Sequence, residues 1–109
     1  GFRFAGMSHQ GGLLVLPSGM RAWPVRSLAE MTADHFAPMI AEKDAIDFVL
    51  LGTGATMARL PAPVTAFLRE QGLSFDAMAT SPAIHIYNVT VEEGRRVAAA
   101  FLPVDRANV

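Results

Sequence analysis

The run Asp47-Phe48-Val49-Leu50-Leu51 passes directly into Gly52-Thr53-Gly54. No other stretch restricts the fold as tightly. A short unbroken apolar run suits a strand covered on both faces, as in a parallel or mixed central sheet. Two glycines one residue apart then open the backbone where the strand ends. In α/β proteins that end faces the crevice where ligands bind. Backbone N–H groups exposed in such a loop can receive an anion or a carbonyl.

The nucleotide-binding versions of this turn are excluded. No Gly-Lys-Ser/Thr follows Gly54, and the third glycine of a dinucleotide fingerprint would fall at Met57. A helix would also have to begin at once to aim its dipole at a phosphate. Here the proline-marked helix start comes later, at Pro61 and Pro63. Arg59 could supply a charge from the loop. The plain structural role of the glycines is a tight exit from a buried strand.

The rest of the chain frames this strand. A strand at 2–4 is followed by a turn. Leu13-Leu14-Val15-Leu16 is stopped by Pro17-Ser18-Gly19, and 20–23 pairs back as a hairpin that Pro24 ends. Residues 1–25 therefore read as a β-meander. Thr32 caps a helical segment running to Lys43, and Pro38 either opens a second piece or kinks the first. Residues 63–71 form a helix with Val64, Phe67 and Leu68 on one face and Gly72 as its left-handed cap.

A second strand covers 73–78. In 80–93 the residues Ile84, Ile86, Val89 and Val91 favour a strand by propensity. Thr80-Ser81-Pro82 at one end, as N-cap plus N1 proline, and Glu93-Gly94 at the other favour a helix, and the helix is the reading adopted. The last strand is 96–102, with 104–109 a tail. The 109 residues make one α/β domain, 1–109, in three layers: a mixed β-sheet with right-handed crossover helices over 32–102 and the N-terminal β-meander.

Composition narrows the function classes. Hydrophobic residues make up 51% and charged residues 17%, which implies either a well-filled core or, equally, apolar surface left for self-association or a protein partner. Net charge is −1, and the densest cationic point is Arg95-Arg96, so no basic stripe for nucleic acid exists. One Trp and one Tyr supply few base-stacking platforms. With no cysteine, disulfides, thiolate catalysis and Cys-based zinc sites are excluded. No apolar run reaches membrane-spanning length, so a soluble chain is expected. The chain opens Gly1-Phe2-Arg3-Phe4 without an initiator Met, which leaves room for residues upstream and for a removed targeting segment.

Few residues suggest chemistry. His9, His35 and His85 lie on three different elements with no ligand spacing, so no metal is expected and each is an ordinary surface or core histidine. Ser8 and His9 are chain neighbours, which rarely present side chains to each other. Ser81 and His85 are better placed, four apart on a helix, but Ser81 has an ordinary use as a cap. No nucleophile elbow occurs. The remaining candidates are Tyr87 and Asn88, which could line a crevice with Gly52, Thr53, Gly54 and Thr80. Equally, Tyr87 packs with a satisfied hydroxyl and Asn88 is a bridging amide. Arg95 and Arg96 alternate at a strand start, one towards solvent and one towards the rim.

The set Phe48-Val49-Leu50-Leu51-Gly52-Thr53-Gly54, Pro61 to Gly72, Met78-Ala79-Thr80, Tyr87-Asn88 and Glu93-Gly94-Arg95-Arg96-Val97-Ala98-Ala99-Ala100 resembles a small α/β family of unknown function. That family includes the mitochondrial NADH dehydrogenase (complex I) assembly factor 3 and uncharacterised bacterial and archaeal proteins. The resemblance runs from Phe4 to Leu102. It implies a three-layer fold and, from the mitochondrial member, a scaffold role through protein partners. It brings no catalytic residue and no cofactor. Many members carry Cys-Arg-Thr before the Tyr-Asn pair, where this chain has Ile84, His85 and Ile86.

Three functional expectations follow. The first is a non-enzymatic binding or assembly module, cytoplasmic in a bacterium or mitochondrial in a eukaryote, working on respiratory-complex assembly with a protein partner. The second is a small-molecule binder or enzyme that holds an anion or carbonyl between the 52–54 loop and Tyr87 and Asn88. In the third the same crevice is a dimer seam.

Overall fold

Alternating parity along two buried strands sets the architecture. The computed structural model describes residues 2–4, 7–9 and 11–104. Among them, β1 (Phe2–Phe4) and β2 (Met7–His9) pair antiparallel as a separate two-stranded sheet. The main sheet comprises β3 (Gly12–Leu16), β4 (Gly19–Trp23), β5 (Phe48–Gly52), β6 (Phe75–Met78) and β7 (Val97–Phe101). Its order is β4-β3-β7-β5-β6, with β3 antiparallel to both neighbours and β5 parallel to both of its own. The mixed sheet is as expected. The second strand at Met7–His9, where a turn was expected, is an addition.

Strand β7 stands at the centre and joins an antiparallel half to a parallel half. It and β5 are covered on both sides, which is why each reads as continuous apolar sequence. Leu14, Leu16, Val49, Leu51, Ala98 and Ala100 face one layer. That layer comprises α1 (Ala37–Ala41), α2 (Ala62–Glu70) and the segments around them, with Trp23, Phe36, Met39, Val64 and Leu68 at its core. Leu13, Val15, Leu50, Val97, Ala99 and Phe101 face the other layer, formed by α3 (Thr80–Glu92) with Ala83, Ile84 and Tyr87. α2 carries the chain outward from β5 to β6 on one face. α3 carries it back past β5 to β7 on the other. Reversing direction and face together gives both crossovers the same hand.

Local chemistry explains the boundaries. Leu16 pairs with Gly19, leaving Pro17-Ser18 as a two-residue loop. The Ser18 N–H and hydroxyl both donate to the Glu42 carboxylate, at 2.9 and 2.6 Å, which ties the hairpin to the end of α1. The segment after Thr32 resolves into two pieces: a 3-10 turn, Ala33–Phe36, and then α1 with Pro38 in its first turn. Proline needs no amide donor there, so the break costs little. His35 serves this junction, its Nδ1 accepting the Thr32 N–H (3.1 Å) and its carbonyl accepting the Trp23 Nε1–H (2.8 Å).

α2 and α3 end alike. Gly72 (φ +76°) and Gly94 (φ +80°) adopt the left-handed conformation, and the next residues return their N–H groups to Leu68 and Thr90. Leu73 is drawn into that closure, so β6 starts at Phe75 rather than at 73. The segment 80–92 is helical, the reading adopted from the sequence, despite its β-branched residues. The tail from 105 onward lies outside the described residues.

Candidate functional site

The carboxyl ends of β5 and β6 form the point where the chain leaves for opposite faces of the sheet. In open α/β sheets this is where ligands bind. Gly52, the last residue of β5, is buried. A Cβ there would lie 2.7 Å from Thr80 Oγ1 and 3.0 Å from both Phe101 Cδ1 and Thr80 Cα. Glycine is therefore what lets the start of α3 approach the sheet this closely. Gly54 has φ +101°, a conformation that L side chains rarely adopt.

Around these glycines the backbone groups are taken up within the chain. The Leu102 N–H donates to the Gly52 carbonyl (2.9 Å) and the Thr53 N–H to the Met78 carbonyl (2.8 Å), extending both ladders of β5 by one rung. The Thr80 N–H donates to the Gly54 carbonyl (2.8 Å). The fully buried Thr80 hydroxyl accepts from the Gly54 N–H (2.9 Å) and donates to the Leu102 carbonyl (2.7 Å). The buried Thr53 hydroxyl lies within donating distance of the Thr56 carbonyl (2.7 Å) and the Met78 carbonyl (3.1 Å), and it accepts from the Ala58 N–H (3.1 Å). The N–H groups of Thr53 and Gly54, the donors a ligand would need, thus already have partners.

Ser81 was expected to cap α3, with Pro82 at the first helical position. The structure corrects this. The helix begins at Thr80 itself, Ala79 is the cap residue, and no side chain caps the end. A buried hydroxyl that joins two otherwise unpaired backbone groups removes two desolvation penalties, more than a solvent-exposed cap would save. Ser81 is exposed.

Tyr87 lies two turns further along α3, half-buried, with its ring edge-on to Phe101 (centroids 6.2 Å apart, planes at 88°). The Phe101 ring links it to the glycine exit. Burial raises its phenol above the ordinary tyrosine value. As the chain's only tyrosine, it can be followed by absorbance without ambiguity. The folded protein should ionise above the usual value of about 10, and the urea-unfolded chain at about 10. Because the folded value is the raised one, the associated stability is complete below about pH 10 and is lost as pH rises through the folded value. A folded midpoint at or below that of the unfolded chain would contradict the burial. Asn88 is exposed on the outer side of α3.

The arginines sit elsewhere. Arg96 grips Asp47 through Nη2 (2.7 Å) and Nε (3.1 Å), at the opposite end of the strands from Gly52. The Arg96 guanidinium holds the Asp47 carboxyl below its ordinary range. Both side chains are more than half exposed, so the pair adds little stability. Arg95 lies over the Phe48 ring at 5.9 Å, and neither arginine reaches the glycine exit. His85 and Arg59 are exposed, and among the described residues no group of three His, Asp or Glu side chains could hold a metal ion. Sequence reasoning did not assign Phe101 or Leu102 to this cluster. The available signal was a single large residue, Phe101, closing a row of three alanines.

The layers and the sealed strand exit define the class as a three-layer α/β domain of the Mth938-like fold. A Bordetella pertussis protein described as an Mth938-like domain superposes with a TM-score of 0.77 at 24% identity, over 93% of this chain and 78% of that one. The chain belongs to the family described as protein of unknown function (DUF498/DUF598), which matches residues 1–102. The Rpa2829 protein of Rhodopseudomonas palustris is similar, with a TM-score of 0.85 and 38% identity over 100% of this chain and 81% of that one. An uncharacterized protein of Rhodobacter capsulatus is 37% identical over 106 residues, 97% of this chain and 80% of that protein. Human NADH dehydrogenase [ubiquinone] 1 alpha subcomplex assembly factor 3 is 30% identical over 103 residues, 94% of this chain. The chain spans 56% of the length of that human relative.

Proposed function

We propose that this chain is a non-enzymatic assembly module that acts on respiratory NADH dehydrogenase by holding protein partners. The carrying observation is its likeness to assembly factor 3 over 94% of its length. The occupied N–H groups at the strand exit support the reading, because the residues that would bind a small anion are already bonded to Met78 and Thr80. In a bacterium the module works in the cytoplasm, and in a eukaryote in the mitochondrion. Among the described residues no helix is long and apolar enough to cross a membrane.

Deleting the encoding gene in the source organism tests this. Assembled NADH dehydrogenase on native gels, and NADH oxidation by isolated membranes, should both fall and should return on re-expression. An unchanged amount of assembled complex in the deletion strain would overturn the proposal.

A further inference from the structure

The outer face of α3 carries a pattern that its own core does not use. Inward, Thr80, Ala83 and Thr90 are buried. Outward, Pro82, Ile86, Val89 and Glu93 follow one another at spacings of four, three and four. That is the spacing of a helix–helix seam. Ile86 and Val89 are 39% and 41% exposed. β-branched residues are also a poor choice for an exposed helix position unless something covers them.

The charges point the same way. The helix contains no Lys or Arg, has no acidic residue in its first turn, and ends with Glu92 followed by Glu93. Carboxylates at the C-terminal end oppose the helix dipole.

We propose that this face docks on α3 of a second copy of the chain, antiparallel, with the two-fold axis passing between Ile86 and Val89. The stripe is symmetric about that point. Each Ile86 meets the second copy's Val89, and each Glu93 falls beside Ser81 and Pro82 of the other helix. The carboxylates misplaced on their own helix then lie at the positive end of its mate. A parallel pairing would instead bring all four carboxylates together. A helix of 13 residues is about 20 Å long. Its contact is smaller than the roughly 800 Å² per side of a standard interface. The dimer is therefore concentration-dependent.

The absence of native cysteine makes the register directly testable. In a light-scattering concentration series the solution mass should rise towards twice that of one chain, and Val89→Glu should hold it at that of one chain. Separately, an equimolar mixture of Ile86→Cys and Val89→Cys chains, gently oxidised, should form the mixed disulfide dimer in preference to either self-paired product. Met57→Cys, 68% exposed on the loop after β5, should cross-link far more slowly. A single-chain mass throughout, a dimer indifferent to Val89→Glu, or equal cross-linking through Met57→Cys would each overturn the proposal. These readouts concern the purified chain and do not depend on the assembly reading.

Discussion

Thr80→Val should unfold at a markedly lower urea concentration than the parent chain, with an unchanged slope. The substitution keeps the shape and removes the hydroxyl. It leaves the Gly54 N–H and the Leu102 carbonyl facing each other without the group that joined them. Each orphaned buried group costs about 1–3 kcal/mol, so the pair should remove about 2–6 kcal/mol. Domains of this size have only about 5–15 kcal/mol in total. Thr80→Ser, which keeps the hydroxyl, should recover most of the loss. If Val and Ser behave alike, the hydroxyl is not what holds the junction.

Phe101→Ala should be comparably damaging for a different reason. The Phe101 ring is wholly buried against Gly52 and Tyr87, and truncating such a ring leaves a cavity that costs about 3–5 kcal/mol. A fall in Tm of about 12 °C or more follows for a chain of this length. The Tyr87 phenol should move back towards its ordinary value, because water reaches the edge that Phe101 covered. A loss below about 1 kcal/mol with an unmoved phenol would mean that the ring does not organise this junction.

Much of the fold was legible because its signals are local. Pro17-Ser18-Gly19 announces the hairpin, Gly72 and Gly94 close two helices, and the apolar run before Gly52 marks a strand covered twice. The segment after Thr80 tested one signal against another. Its β-branched residues argued for a strand, but Ala83, Tyr87 and Thr90 recur at helical spacing along the face that meets the sheet. Packing of that face outweighs intrinsic preference. Met7–His9 escaped notice because three residues of mixed polarity carry no periodicity, and their pairing with Phe2–Phe4 defines them.

Four of the six expected site residues were legible as one cluster, Tyr87 and Asn88 lie outside it, and its wiring was not legible. Gly52, Thr53, Gly54 and Thr80 do meet, in one hydrogen-bonded cluster. A threonine at a helix start ordinarily turns its hydroxyl to its own backbone. Here Leu102, 22 positions away, competes for it, and only the finished sheet brings Leu102 within reach. Strands β5 and β7 also begin one residue later than expected, at Phe48 and Val97, with Asp47 and Arg96 paired just ahead of them.

The central place of β7 has a consequence for biosynthesis. The strand that joins the two halves of the sheet is the last made of its five described strands. Until Val97–Phe101 leaves the ribosome, the hairpin of β3 and β4 has no neighbour, and the β5–β6 pair lacks its inner edge. Loop-closure entropy opposes such distant pairings until the late strand can make them worthwhile. Nascent chains ending before Val97 therefore lack the strand with which both half-sheets pair.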